Sequence, residues 1–232
     1  MSETALLSPL EPVVRASIAD QVFDVLHQQV LSLALPPGTK MSEAEIAKQL
    51  NVSRQPVRDA FYRLSKLGFL LIQPQKATQV SPIHIQDILR ARFVRTSIEV
   101  EVMRRAAQGL TAQALAQLDA NLAEQKQTVA SGDRARFHRL DDAFHHLLCQ
   151  GAGVGFVWET IHENKAHTDR VRYLSLSEGS ARAMEGHIRI LAALRARDAE
   201  AAVAELRTHL GQIEGIIADL RAANAAWFSD EG

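Results

Sequence analysis

Four side chains in the second half of this chain have the types and spacing of metal ligands. Asp141 and His145 stand four residues apart, which puts both on one helix face, a turn from each other. That face is otherwise the apolar stripe Phe137, Leu140, Phe144 and Leu148. His187 falls among Ala183, Ile190, Leu191 and Leu194, and His209 interrupts Ala202, Leu206, Ile213, Ile216 and Leu220. One carboxylate and three imidazoles at core-facing positions are costly unless they are paired or bind something. A divalent ion would satisfy all four, since imidazole and carboxylate suit zinc, nickel, manganese or similar ions. Asp142 and His146 repeat the four-residue spacing but face away from the stripe, and rank second.

A different chemistry is written in Ser53-Arg54-Gln55-Pro56-Val57-Arg58-Asp59-Ala60-Phe61-Tyr62-Arg63-Leu64. Val57, Ala60, Phe61, Leu64 and Leu67 fall at helical spacing and belong to a core. Arg54, Gln55 and Arg58 are then left outward near the helix start. The N-terminal residues of the second helix of a helix-turn-helix reach base edges from that position.

Both groups need elements to hold them. Ser42 and Glu45 have capping-box spacing, so a short helix with Ala44, Ala47 and Leu50 on one side starts there. Asn51-Val52 turn the chain, Ser53 caps the next helix, and Pro56 is tolerated in its first turn. Gly68 ends that helix. Phe69 to Gln73 and Thr78 to Ser81 read as two strands joined by Pro74-Gln75-Lys76-Ala77, a basic wing. Upstream, Ile18, Val22, Val25, Leu26 and Val30 make an amphipathic helix closed off by Pro36-Pro37-Gly38, and residues 1–15 read as a flexible arm. The winged unit then occupies 16–82, with Ser81-Pro82 as boundary.

From 83 to 228 every long segment is helical in period: about 84–107, 112–131, 134–149, 153–174, 180–196 and 198–223. Gly109, Gly132 and Gly151 punctuate the first three, Asp198 is placed to cap the last, and nothing reads as a strand. The expected fold is mainly α: an N-terminal winged helix-turn-helix and a C-terminal all-helical bundle of six or seven helices.

The chain has 232 residues, enough for two small cores, with 47 % apolar and 5 % aromatic residues and a net charge of −1. That charge is uneven, for Lys40 to Val80 holds seven basic residues against three acidic, the local excess a phosphate-contacting surface needs. One cysteine, Cys149, rules out an internal disulfide and fits a reducing cytoplasm. No basic-then-apolar leader and no apolar run of about 18 residues is present, so a cytoplasmic protein with no membrane span is expected.

The string from Ser53 to Leu64, with Gly68, the wing and the Pro37-Gly38 bend, resembles the GntR family of bacterial transcription regulators over roughly Ile18 to Val80. The helical half is similar to the effector-binding FCD domain of its FadR-like branch. Leu140-Asp141-Asp142-Ala143-Phe144-His145, Glu185-Gly186-His187 and Arg207-Thr208-His209 carry that likeness. The resemblance implies one divalent metal ion per subunit, held by Asp141, His145, His187 and His209 at the floor of a cavity for a small carboxylate or sugar-acid effector. Arg95-Thr96-Ser97-Ile98-Glu99 resembles the Arg-x-x-Leu-Glu of the first bundle helix, which makes Arg95 a carboxylate partner. Arg170 and Arg172 are further candidates, because a guanidinium matches two carboxylate oxygens.

The sequence is therefore read as a ligand-responsive regulator that binds a double-stranded DNA operator. Its contact set is Ser42, Ser53, Arg54, Gln55, Pro56, Arg58, Arg63 and Lys76, with Arg54 and Arg58 reading bases. One short helix discriminates little, so a homodimer on a palindromic site is expected. Two rivals stand beside this reading. One is a sensor for which the ion itself is the signal; the other is a metal-dependent hydrolase, for which no further general base or nucleophile is evident.

Overall fold

The computed structural model describes residues 17–73 and 75–229, so the expected N-terminal arm and Pro74 of the wing lie outside the described residues. The chain divides into two compact units. One takes the chain up to Gln28 together with Lys40–Gln79, and the other takes Gln29–Thr39 and the chain from Val80 on. The stretch that ends in the Pro-Pro-Gly bend thus goes with the second unit.

In the first unit, α1 (Ile18–Leu31) starts on a reciprocal cap. The Ser17 hydroxyl accepts from the Asp20 amide at 3.1 Å while the Asp20 carboxylate accepts from the Ser17 amide at 3.1 Å. After β1 (Lys40–Met41) come α2 (Glu43–Gln49) and α3 (Arg54–Lys66). The turn between them depends on Asn51, whose φ of 53° is a left-handed conformation that Asn tolerates. Val57, Ala60, Phe61 and Leu64 are at most 1 % exposed, as their spacing predicts. Gly68, at φ 79°, turns the chain into β2 (Leu70–Leu71), and β3 (Thr78–Val80) returns. The sheet order is β1-β3-β2, with Lys40 opposite Gln79 and Met41 opposite Thr78. Two details differ from the sequence reading. Strand β1 was not expected, being too short to show alternation. Ser42 and Ser53 do stand at the helix starts, but neither hydroxyl bonds to the first turn. Ser42 continues the extended backbone of β1 (φ −120°, ψ 127°), so the strand rather than a side-chain cap fixes where α2 begins.

The second unit contains, among the described residues, six α-helices: α4 (Ile85–Ala106), α5 (Ala112–Ser131), α6 (Arg134–Gly151), α7 (Val157–Arg195), α8 (Ala199–Gly211) and α9 (Ile213–Ala223). Thr111, Asp133 and Asp198 cap α5, α6 and α8 by accepting from backbone amides at 3.1, 3.0 and 2.9 Å. Two boundaries depart from expectation. The segments read as 153–174 and 180–196 form one continuous helix of 39 residues. The Gly and Ser residues at the expected break weaken a helix by only about 1 kcal/mol each, and buried Val171 and Ala183 pack on either side of it. Conversely, the expected helix 198–223 breaks at Gln212, directly after Gly211. A two-residue parallel pair, β4 (Ile83–His84) with β5 (Phe228–Ser229), corrects the expectation that this half lacks strands; it is too short to leave a periodic signal.

The main core gathers Met103, Leu118, Phe144, Leu148, Ile161, Ile190 and Leu206. A separate cluster joins Ile83, Ile88, Val171, Ile213 and Ile217. No helix among the described residues is long and apolar enough to cross a membrane. Phe61→Ala should destabilise the first unit by about 3–5 kcal/mol through the cavity it leaves. The check is an earlier urea transition for that unit alone, and an unchanged midpoint would contradict the burial described.

Candidate functional site

The stripe of α6 brings Asp141 and His145 to the centre of the second unit, α7 brings His187, and α8 brings His209. Each offers one ligand atom, and the four atoms lie within 4.8 Å of one another. Asp141 and His187 are fully buried, His145 is 1 % exposed and His209 6 %. His145 Nε2, His187 Nε2 and His209 Nδ1 are buried with no hydrogen-bond partner. Buried polar atoms are rarely left so, and three aimed at one carboxylate match the donor set of a divalent cation. His187 Nε2 approaches Asp141 Oδ1 to 3.3 Å. The Phe144 ring stacks on His187 at 4.3 Å and packs edge-on to His145.

The opposite nitrogens are held. Glu99 Oε2 lies 2.5 Å from His145 Nδ1, and Gln125 Oε1 lies 2.9 Å from His187 Nδ1. Gln125 in turn donates to Asn121 at 2.7 Å, and Asn121 donates to the Leu140 carbonyl at 3.1 Å. Acceptors on Nδ1 place the proton there and turn a bare Nε2 toward the cluster, as metal-binding histidines require. Burial pushes His187 down to about 4 against the opposing pull of Asp141, and burial beside His187 holds His209 well below its usual range. Neutral imidazoles keep their lone pairs. Gly186 precedes His187, and a Cβ there would come within 2.7 Å of His209 Nδ1, so only glycine lets α8 bring that ring in.

Beside the cluster lies a cavity of about 50 Å³, walled by Arg92, Arg95, Thr168, Arg172, His209, Gln212, Ile213 and Ile216 among others. Arg172 grips both oxygens of Asp141, at 2.8 and 2.6 Å. Burial opposes ionisation of Asp141, but the Arg172 charge and hydrogen bonds together with His187 outweigh it and hold the carboxyl well below the usual range. Arg95 Nε donates to Glu99 at 2.5 Å, while its Nη2 is buried without a partner. Burial again opposes ionisation of Glu99, and Arg95 with His145 brings it down to about 2. Arg170 is placed elsewhere: it does not line the cavity, and it donates to the carbonyls of Ser81, at 2.8 Å, and Pro82. Its burial lowers its pKa to about 10.

In the first unit, Arg54 and Gln55 are exposed at the start of α3. The Arg58 side chain, 61 % exposed, meets Glu43 at 3.3 Å. Gln55 donates to Asp59 at 2.9 Å. Arg63 instead ties α3 to α1, donating to Asp20 at 2.8 Å with its guanidinium 3.9 Å over the Phe23 ring. Lys76 borders a hollow of about 310 Å³ on the wing, with Lys40, Gln73 and Gln79.

Residues 18–80 match the family described as bacterial regulatory proteins of the gntR family, and residues 90–212 match the FCD domain. Over 233 aligned residues, the whole of both chains, the sequence is 36 % identical to the HTH-type transcriptional repressor RspR of Escherichia coli (strain K12). The chain belongs to the GntR family, in its FadR-like branch with an FCD domain. The solved E. coli McbR/YncC structure matches with a TM-score of 0.74 at 25 % identity, covering 89 % of this chain and 99 % of that one. A putative GntR transcriptional regulator from Rhodococcus sp. RHA1 shares the fold, with a TM-score of 0.71 at 20 % identity over 86 % and 97 % of the two chains. As a GntR regulator the chain is a DNA-binding transcription factor and not an enzyme, which removes the hydrolase reading.

Sequence reasoning missed the residues of this regulator that hold the Asp–His cluster in place. Asn121 and Gln125 sit with Leu118 and Thr128 on the buried face of α5, at steps of three and four residues. Amides on that face were the available signal. Asp142 and His146 do not converge: Asp142 meets Lys165 at 2.8 Å, and His146 stacks on Trp158. Lys165 is itself fully buried, paired with Asp169 as well, and His138 Nε2 lies 3.3 Å from Asp169. Burial would lower the Lys165 pKa, but the two carboxylates raise it, so the ammonium stays charged. Lys165→Met should cost about 3–5 kcal/mol by leaving buried carboxylates uncompensated. Chemical denaturation reads this directly, and a loss below about 1 kcal/mol would mean the pair is solvated.

Proposed function

We propose that this GntR regulator binds its operator through α3 and the wing, and that a small organic anion bound beside a divalent metal in the FCD domain sets operator affinity. One observation carries the second half. Three partnerless imidazole nitrogens and the Asp141 carboxylate converge in a dry site that opens on an arginine-walled cavity. Asp141, His145, His187 and His209 would hold the ion, of zinc, nickel or manganese type, which supplies positive charge and affinity for a carboxylate oxygen. Arg95, with its buried Nη2 unpartnered, and Arg172 are the cavity guanidiniums for a small carboxylate or sugar acid. Arg170 acts on the backbone of Ser81 and Pro82 and not on the effector.

On the DNA side, Arg54, Gln55 and Arg58 are the base-reading candidates, and Ser42, Ser53, Pro56, Lys76 and the backbone around them set register on phosphates. Arg63 supports α3 from behind. The 13 residues of α3 span too few base pairs for a unique site, which supports a homodimer on a palindromic operator, acting in the cytoplasm. An effector shifts operator affinity only by its differential affinity for the two states.

Three measurements test this reading. Arg58→Ala should weaken binding to a duplex from upstream of the protein's own gene by about 1–3 kcal/mol and relax base preference; an unchanged gel-shift series refutes the assignment. Glu99→Gln should weaken zinc binding about 10–100-fold by freeing the His145 ring, and His187→Ala or Gly186→Ala should lower bound metal below one ion per subunit in elemental analysis while circular dichroism keeps its helical signal. A thermal-shift panel of small carboxylates and sugar acids, with and without chelator, separates effector from ion. Stabilisation by a carboxylate only in the metal-loaded protein is the expected result. A change of operator affinity on chelation alone, with every carboxylate silent, would make the ion itself the signal.

A further inference from the structure

The three arginines that wall the cavity are not equivalent. Arg95 and Arg172 are committed to the buried carboxylates Glu99 and Asp141. Arg92, on α4, pairs with Glu214 on α9, and the two side chains are 30 % and 60 % exposed. They therefore sit at the rim. A pair this open to water is screened and contributes little, so its guanidinium can change partner at small cost.

Helix α9 is built to respond to such a change. At Gln212, between α8, which carries His209, and α9, the backbone stays helical (φ −57°, ψ −24°) but its hydrogen bonds are long, 3.4 Å from Gln212 to His209 and from Ile216 to Gln212. The first turns of α9 give Ile213 and Ile216 to the cavity wall. Ile213 and Ile217 also pack against Ile83 and Val171 in the separate apolar cluster, with Phe228 at its edge. Ile83 and His84 pair with Phe228 and Ser229 as β4 and β5, and Arg170 holds the carbonyls of Ser81 and Pro82. Residues 81–84 are the peptide that leads from β3 of the winged unit into α4. Side chains of one short helix thus touch both the ligand space and the joint.

We propose that Arg92 and Glu214 form a latch at the cavity rim, which an anionic ligand opens by taking the Arg92 guanidinium, and that α9 passes the release to the joint at Ser81–His84. This rests on the organic-anion reading of the cavity. Arg92 is then the residue whose partner changes with occupancy, while Arg95 and Arg172 can face the anion without giving up Glu99 and Asp141. The metal ligands need not move.

The test uses the full chain, metal-loaded, in a Trp158→Phe background where Trp227, beside β5, is the remaining indole. Glu214→Gln cuts the latch without altering a cavity-lining residue. It should change Trp227 emission, keep one ion per subunit, and shift affinity for the upstream duplex measurably, by up to about fivefold, with no carboxylate present. Arg92→Gln should do the same and abolish stabilisation by malonate, lactate or gluconate. The charge swap Arg92→Glu with Glu214→Arg should restore wild-type emission and operator affinity while remaining blind to those probes. Unchanged emission and operator affinity in Glu214→Gln overturns the latch, even if a carboxylate stabilises the wild type. Should Glu214→Gln respond while no carboxylate of the panel stabilises the wild type, the anion reading fails and the opening step fails with it.

Discussion

The Asp141 carboxylate, wholly buried between α6, α7 and α8, imposes more on this bundle than any other single group. An isolated carboxylate in such a place would simply take up a proton. Here the two-pronged Arg172 keeps it ionised, and the rest of the site repeats the device, with Glu99 answered by Arg95, and Asp142 and Asp169 by Lys165. Counted together, four carboxylates face three cations, which leaves one excess negative charge. A divalent ion bound by Asp141 and the histidines would turn this into one excess positive charge. Two added positive charges there would favour an anion bound next to the ion.

Continuity of α7 makes that balance mechanically consequential. Lys165, Asp169 and Arg172 recur at steps of four and three residues and face α6, whereas Arg170 turns away toward the Ser81 and Pro82 carbonyls. His187 follows 15 residues after Arg172 on the same helix, yet Arg172 and His187 both reach Asp141 Oδ1, at 2.6 and 3.3 Å, so α7 bends between them. Arg172 and His187 are tied to each other through Asp141, while Arg170 lies on the same turn of α7 as Arg172 and faces the Ser81 carbonyl.

Much of this was legible in the sequence because burial leaves a periodic trace. Val57, Ala60, Phe61 and Leu64 announce α3, and polar residues inside the stripes of α6, α7 and α8 announce the cluster of Asp141, His145, His187 and His209. What stayed hidden has no such trace. Strands of two residues cannot alternate, so β1, β4 and β5 were invisible. The fate of α7 and of the α8–α9 boundary was decided by tertiary packing that overrides local propensity. A guanidinium's partner is set by three-dimensional neighbours as well. Arg170 and Arg172, two residues apart, read alike in sequence yet serve a backbone joint and a buried carboxylate. Arg63 looks like a phosphate contact and is spent on Asp20 and Phe23.

The winged unit follows the opposite electrostatic rule, and the contrast explains how one chain can hold a fixed sensor and a readily engaged reader. Inside the bundle each charge is desolvated, so removing one partner is severe and the geometry is fixed. On α3 the pairs are open to water: Arg58 with Glu43 is worth about 0–1 kcal/mol, and Gln55 with Asp59 is similarly exposed. Surrendering such a pair to a guanine edge loses little, whereas a bidentate base contact gains about 1–3 kcal/mol of discrimination. If Arg58 and Gln55 read bases, Glu43 and Asp59 would compete little with DNA for them.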